Sequence, residues 1–121
     1  MKEQLQNETA YTENVVLCGA NSYEEKYFFN SEFNALPQSI KEELNIMCVL
    51  FTEEVGGILT MEFEEDGTLI FKSIADDYDY YYDEISAGLK IRQFQQTKKE
   101  LLESLEMYYR VVYLGDQFTE E

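Results

Sequence analysis

Histidine is absent from this sequence of 121 residues, and its absence excludes several classes of function. Histidine is the usual general base near neutral pH and the commonest metal ligand in proteins. Without it, the chain cannot form a Ser-His-Asp triad or a Cys-His pair from its own residues. We therefore predict no catalytic residue and expect a protein that is not an enzyme.

Cysteine is also scarce, since the chain contains only Cys18 and Cys48. Two cysteines do not make a disulfide framework, and a structural zinc site would need two more ligands than these thiols supply. Cys18 lies at a predicted turn with few basic residues nearby to lower the pKa of its thiol, so we expect a buried or inert thiol. The residues predict no cofactor.

Long apolar runs are missing as well. The longest run, residues 46–51, is far too short to span a bilayer, and the polar first residues lack the apolar stretch of a signal peptide. We expect a cytoplasmic protein with no membrane partner and with both thiols reduced.

Basic residues are few, because nine Lys and Arg face 25 Asp and Glu, giving a net charge of −16. Such a field repels phosphate backbones and anionic lipids, which argues against nucleic-acid and membrane partners. It attracts cations and basic protein surfaces. An alternative interpretation is that the charge only keeps the protein soluble.

What is present indicates one folded domain. Aromatic residues make up 15% of the chain, which is typical of chains that fold rather than remain disordered. We predict a mobile polar tail at 1–13, a single α+β domain at 14–115 and an acidic tail at 116–121. The fold class is α+β, a small antiparallel sheet of three to five strands with two main helices packed on one face.

Three segments of the first half carry this prediction. Residues 15–18 read as a strand, whereas residues 23–30 could form either a strand or a helical turn. Pro37 suits the first turn of a helix over 38–55, which Gly56 and Gly57 would end. The apolar side chains of this helix recur at spacings of three and four, which places them on one face: Ile40, Leu44, Met47, Phe51 and Val55.

A β-hairpin is predicted next, because apolar and polar residues alternate over 59–64 and Gly67 lies in the turn. A two-residue loop would pair Phe63 with Ile70. A three-residue loop with Gly67 left-handed pairs Phe63 with Leu69 and keeps Lys72 off the apolar face. One-residue slips invert every side chain, so we favour the three-residue loop.

Residues 76–84 alternate between tyrosine and aspartate, which predicts a third strand with its tyrosines facing inward. A final helix follows over 94–113. Ile85, Leu89 and Phe94 are poorly phased with the apolar face of that helix and Gly88 weakens it, so we expect a break or bend between 88 and 93.

The acidic-tyrosine run is the first candidate site, because clustered carboxylates could hold a divalent cation. The metal-ligating candidates are Asp76, Asp77, Asp79, Asp83 and Glu84. An EF-hand loop starting at Asp77 fails, since its sixth position is Tyr82 and its twelfth is Gly88. The favoured interpretation is a solvated acidic face, whose charge repulsion the basic residues of 90–99 would relieve.

Tyrosine is more abundant than one amphipathic core readily absorbs, with ten in the chain. Tyrosine offers a large contact area with a polar tip and is enriched at protein interfaces. Rings at the edge of the core are the alternative interpretation. The candidate interface residues are Tyr78, Tyr80, Tyr81, Tyr82, Tyr109 and Tyr113.

Four segments of the chain, 17–23, 47–57, 82–85 and 103–109, resemble a family of small bacterial proteins of unknown function. The resemblance covers residues 15–115 and implies no activity, cofactor or catalytic residue. The hairpin, acidic segment and final helix also look like small acidic immunity proteins that neutralise toxins, a likeness of architecture and charge.

The sequence therefore predicts a non-enzymatic, acidic protein-binding or regulatory module, of the inhibitor or immunity type, that binds a basic protein surface. The alternative is a carboxylate-based divalent-metal-binding protein or metal-dependent enzyme, and a nucleic-acid mimic is a third hypothesis. An exposed apolar face on the final helix would indicate a homodimer.

Overall fold

Within residues 13–115, the sheet has four antiparallel strands: β1 (Val15–Asn21), β2 (Lys26–Phe29), β3 (Ile58–Phe63) and β4 (Leu69–Ile74). Their order across the sheet is β2-β1-β3-β4. The computed structural model describes residues 13–115, so the predicted tails at 1–13 and 116–121 lie outside the described residues except for Glu13. An antiparallel sheet within the predicted size range is confirmed.

Residues 23–30, which the sequence left open, form a turn followed by strand β2. The Asn21 side-chain oxygen accepts hydrogen bonds from the backbone N–H groups of Tyr23 and Glu24. Glu25 then adopts a left-handed conformation with φ of 55°, which completes the turn. Side-chain capping of a turn by asparagine is what joins β1 to β2.

Three helices accompany the sheet, where two main helices were predicted: α1 (Gln38–Glu54), α2 (Glu84–Thr97) and α3 (Lys99–Val112). Helix α1 follows Pro37 and ends at two glycines of positive φ, as predicted. The predicted break at 88–93 is wrong, because Gly88 lies inside α2 and the chain turns at Lys98 instead.

The phase of α2 explains this difference. Ala87 and Phe94 are buried and Ile91 is half-buried, so α2 has its own core face at spacings of four and three. Ile85 and Leu89 lie on the exposed side of that helix. Ile85 and Leu89 are out of phase with the core face of α3 because they belong to a separate helix, not because one long helix bends.

The predicted hairpin register is confirmed. Phe63 pairs with Leu69 and Met61 pairs with Phe71, across a turn in which Gly67 has a φ of 93°. The backbone N–H of Glu64 donates to the Thr68 carbonyl at 2.8 Å and so closes the three-residue loop.

The predicted third strand at 76–84 is wrong, because β4 ends at Ile74 and the chain forms turns until α2 begins at Glu84. The backbone N–H of Asp79 donates to the carbonyl of Asp76 at 3.0 Å, which closes a turn. Aspartate side chains offer the backbone local hydrogen bonds that compete with a strand ladder.

The core lies between α1 and strands β1 and β3, and extends to α2 and α3. Phe63 stacks on Tyr109 of α3 with ring centroids 4.2 Å apart, and Phe33 packs against both rings. The fully buried large side chains are Leu17, Phe33, Leu44, Met47, Phe51, Leu59, Met61, Phe63 and Leu105.

Candidate functional site

The most exposed aromatic side chains of the described residues lie together in the segment between β4 and α2. Tyr78 is 82% exposed, Tyr80 is 85% exposed and Tyr81 is 97% exposed. We call residues 75–83 the tyrosine loop. Three large rings in water are not explained by folding, because each offers apolar area that burial would stabilise.

Tyr23, at the start of the β1–β2 turn, holds this loop against the rest of the molecule. Its hydroxyl donates to a carboxylate oxygen of Asp79 at 2.5 Å and accepts from the backbone N–H of Asp76 at 3.1 Å. The hydrogen bond to Asp79, followed by burial, raises the pKa of Tyr23. Asp79 also accepts from the backbone N–H of Tyr81 at 3.1 Å, so one carboxylate orders two parts of the loop.

Tyr82 and Asp83 fasten the other end of the loop. The hydroxyl groups of Tyr82 and Ser73 are 2.5 Å apart, which ties the loop to β4. Asp83 caps α2, because its carboxylate accepts from the backbone N–H of Ile85 and from the hydroxyl of Ser86. These hydrogen bonds, led by the one from Ser86, lower the pKa of Asp83.

The other three candidate tyrosines are not part of this exposed group. Tyr82 is partly buried at the base of the loop, and Tyr109 is 6% exposed within the core. Tyr113 stacks on Tyr109 with centroids 5.1 Å apart and donates its hydroxyl to the Glu32 carbonyl at 2.7 Å. The candidate surface therefore contains Tyr78, Tyr80 and Tyr81.

Apolar side chains that sequence reasoning did not assign to a site flank the tyrosine loop along the chain and are also exposed. Ile74 at the end of β4 is 61% exposed, and Ile85 and Leu89 on α2 are 74% and 59% exposed. The spacing of Ala87, Ile91 and Phe94 could have revealed them, since it fixes which side of α2 faces the core. We call Ile74, Tyr78, Tyr80, Tyr81, Ile85 and Leu89 the tyrosine surface.

The five candidate carboxylates are spread along the tyrosine loop and the first residue of α2. No three Asp, Glu or Cys side chains within residues 13–115 converge on one point. Asp79, in the middle of the loop, and Asp83, at its end, are engaged in separate hydrogen bonds.

The basic side chains predicted to relieve this acidity pair elsewhere. Lys90 contacts Glu54 at 2.9 Å and Lys98 contacts Glu43 at 2.7 Å, both on α1. Among residues 13–115, no ion pair involves the carboxylates of 76–84. Within the described residues, no Lys or Arg therefore neutralises the acidic charge of the tyrosine loop.

A second exposed apolar stripe lies near the end of α3. Met107, Val111 and Leu114 recur at spacings of four and three, and each is more than a third exposed. This is the exposed face that the sequence analysis linked to a homodimer. In the described part of the chain, no helix is long and apolar enough to cross a membrane.

Residues 14–117 match the profile of the family described as "Family of unknown function (DUF6145)". Since the match covers most of the chain, the protein belongs to this family. No curated protein and no solved structure is similar enough to the chain to count as a match. The predicted family membership is confirmed, whereas a bacterial origin and the likeness to immunity proteins stay predictions.

Proposed function

We propose that this member of a family of unknown function is a non-enzymatic, acidic protein-binding module that binds a basic protein surface through its tyrosine surface. The observation that carries the proposal is the exposure of Tyr78, Tyr80 and Tyr81 on a loop that hydrogen bonds hold in place. Large tyrosine contact area is typical of binding hot spots.

The order of the loop matters because binding costs conformational entropy when a flexible segment must be fixed. Tyr23 and Ser73 attach the two ends of the tyrosine loop before any partner arrives. The three exposed rings then require only side-chain ordering to make contact. This favours a binding surface over a stretch of chain that merely connects β4 to α2.

Charge indicates the class of partner. Between Lys72 and Lys90 the chain has five acids and no base. Acidic groups around an aromatic centre steer a basic surface toward it and disfavour acidic competitors. A role as an inhibitor or immunity-type protein fits this arrangement.

We also infer that the helices cover one face of the sheet. Leu59, Met61 and Phe63 point to the core, and the intervening Thr60 and Glu62 carry the polar contacts of the opposite face. On that opposite face Lys72 pairs with Glu62 at 3.2 Å.

The test uses a variant with serine at three positions, Tyr78→Ser, Tyr80→Ser and Tyr81→Ser. A matched control, Phe28→Ser with Ile46→Ser, removes exposed apolar area from other parts of the molecule. The partner is first crosslinked to a form of the protein that carries a photoreactive aromatic residue in place of Tyr81, and it is then identified and purified. Affinity is then measured by calorimetry for all three proteins.

We expect the triple variant to bind at least about 100-fold more weakly, because the loss of only two hot-spot side chains already weakens binding by more than that factor. The control should bind like wild type. Equal weakening by both variants, or none by the triple variant, would refute the tyrosine surface as the binding site. An affinity that does not fall as salt rises would refute a basic partner.

The alternative, a divalent-metal-binding protein built on the 76–84 carboxylates, has its own test. Thermal unfolding is measured with Ca²⁺, Mg²⁺ or Mn²⁺ at low and high salt, since a ligand of the folded state raises stability by mass action. An upshift specific to one cation that survives high salt would overturn the proposed function. A shift shared by all cations would report charge screening.

A further inference from the structure

Three sulfur atoms from three different elements meet in the core. The Cys18 Sγ on β1 lies 3.7 Å from the Cys48 Sγ on α1, and the Met61 Sδ on β3 lies 3.7 Å from Cys18 and 3.8 Å from Cys48. All three residues are fully buried, and both cysteines are free thiols. We call these residues the sulfur triangle.

The dimensions of the triangle suit a metal ion at its centre. A triangle with sides of 3.7, 3.7 and 3.8 Å has its centre about 2.2 Å from each corner. That distance is close to the length of a metal–thiolate bond, which is about 2.3 Å. Three donors at that distance in one plane form a trigonal coordination set. Thiolate and thioether donors select soft ions such as Cu(I).

We propose that the sulfur triangle is a binding site for one soft monovalent metal ion of the Cu(I) class. Zinc is disfavoured, because a structural zinc ion takes four tetrahedral ligands and this chain has no histidine to complete the three sulfurs. Hard cations are disfavoured because they take oxygen ligands.

Binding exchanges protons for the ion. Each thiol gives up one proton, so one Cu(I) enters, two protons leave and the complex of two thiolates and one thioether carries a charge of −1. Protons therefore compete with the ion, and affinity should increase with pH.

A cleft lies near the triangle, although none of the three sulfur residues lines it. It has a volume of about 460 Å³ and lies between α1 and the β1–β2 turn, with Ala20, Tyr27 and Thr52 in its lining. Ala20 is two residues from Cys18, and the Thr52 hydroxyl donates to the Cys48 carbonyl at 3.3 Å. Glu25, Glu53 and Lys26 also line the cleft, and the excess of negative charge attracts a cation.

Tyr27 lines this cleft and also lies near Cys18 and Cys48. Its hydroxyl oxygen is buried. Within residues 13–115 this buried hydroxyl has no hydrogen-bond partner. A thiolate held by a metal ion would accept a hydrogen bond from it, which gives this orphaned donor a role.

The test titrates Cu(I), and Ag(I) as a redox-inert probe, into the fully reduced protein against a coloured Cu(I) chelator. We expect one ion per chain, a thiolate-to-metal absorption band in the ultraviolet and a higher melting temperature. X-ray absorption should give three sulfur neighbours at about 2.2–2.3 Å.

The informative variant is Met61→Leu, which keeps the volume of the core but removes the thioether donor. Its control is Met47→Leu, a buried methionine of α1 outside the triangle. We expect Met61→Leu to weaken Cu(I) binding at least about tenfold and Met47→Leu to leave it unchanged. Cys18→Ala with Cys48→Ala should abolish the absorption band.

Three outcomes would overturn the proposal. The first is wild-type binding no stronger than that of the double cysteine variant, which would leave the triangle as core packing. The second is equal affinity for wild type and Met61→Leu, which would reduce the site to two thiols. The third is Zn²⁺ binding more tightly than Cu(I). None depends on the tyrosine surface, so the two proposals fail separately.

Discussion

The β3–β4 hairpin and the tyrosine loop that follows it both alternate in sequence, yet only the first forms strands. In the hairpin, residues 58–74, the apolar Leu59, Met61 and Phe63 of β3 are buried, as is Glu62 between the last two, and each residue of β4 faces a residue of β3. In the loop, residues 75–83, tyrosines alternate with aspartates and three tyrosines are exposed.

The difference lies in what the polar residues do. In the hairpin, Thr60 and Glu62 pair with Lys72 and Ile70 across the strands, so polar positions support the ladder. In the loop, Asp79 and Asp83 bind nearby backbone N–H groups and create turns. Alternation of side chains therefore predicts a strand only where a neighbouring strand is available to pair with its backbone.

The largest expected effect comes from truncating the core side of the hairpin. Phe63→Ala removes the ring that stacks on Tyr109 and packs against Phe33, and it leaves a cavity. We expect a loss of about 3–5 kcal/mol in the free energy of unfolding, measured by urea denaturation. Tyr81→Ala, with an equally aromatic side chain lost from the loop, should change it by less than about 0.5 kcal/mol. A comparable loss in both variants would remove the distinction between the two regions.

The junction between the two regions should be the next most sensitive point. Gly57 has a φ of 71°, and an added Cβ would lie 2.5 Å from the Ile74 carbonyl oxygen and 2.8 Å from the Tyr82 ring. Gly56, with a φ of 88°, has open space around the same position.

We therefore expect Gly56→Ala to cost about 1–2 kcal/mol through backbone strain alone, and Gly57→Ala to cost about 1–3 kcal/mol more through the added clash. Urea denaturation of both variants measures the difference. Equal costs would show that Tyr82 and Ile74 move away freely, and that the loop is not fixed to the hairpin base.

The hairpin was predictable from sequence because its register is fixed by local chemistry, namely the left-handed Gly67 and the unfavourable burial of Lys72. The loop was not predictable from sequence, because residues 76–84 could form a strand only by pairing with the free edge of β4, and no local pattern shows whether they do. Tyr23 lies 53 residues from Asp76 in the chain, so no local pattern indicates their hydrogen bond.

The same limit applies to the candidate sites. Surplus tyrosine correctly indicated that some rings lie outside the core. The packing of α3 against the sheet decides that Tyr109 is buried, whereas the turns after β4 leave Tyr81 exposed. The approach of Cys18 and Cys48 is likewise a tertiary contact, since helix α1 must pack on β1 so that residue 48 lies directly over residue 18. Spacing along the chain carries no such information.

Adjacent tyrosines allow a finer comparison within the loop. Tyr82→Phe removes the hydroxyl that is 2.5 Å from the Ser73 hydroxyl, and we expect it to cost about 1 kcal/mol. Tyr81→Phe removes a hydroxyl from a ring that is almost wholly in water and should leave stability unchanged. Chemical denaturation of the two variants side by side measures whether the hydrogen bond between Tyr82 and Ser73 stabilises the fold. An unaffected Tyr82→Phe would show that packing against Gly57, rather than the hydrogen bond, holds the loop.

The smallest expected effect concerns the polar side of the hairpin and depends on pH. Burial alone would raise the pKa of Glu62, but hydrogen bonds from Thr60, Asn14 and Lys72 outweigh it and lower this pKa. A lowered pKa in the folded state gives stability that is present above the ordinary pKa of about 4.5 and is lost as the pH falls below it.

Glu62→Gln removes this titration, so its unfolding free energy should fall less steeply than that of wild type between pH 5 and about pH 3. The ion pair with Lys72 is partly exposed, which limits its contribution at neutral pH to about 0–1 kcal/mol. Glu53→Gln, on the exposed side of α1, serves as the matched control and should follow the wild-type curve. Parallel curves for wild type and Glu62→Gln would mean that the polar face of the hairpin adds nothing to the ladder. The hairpin would then differ from the tyrosine loop through its buried side chains alone.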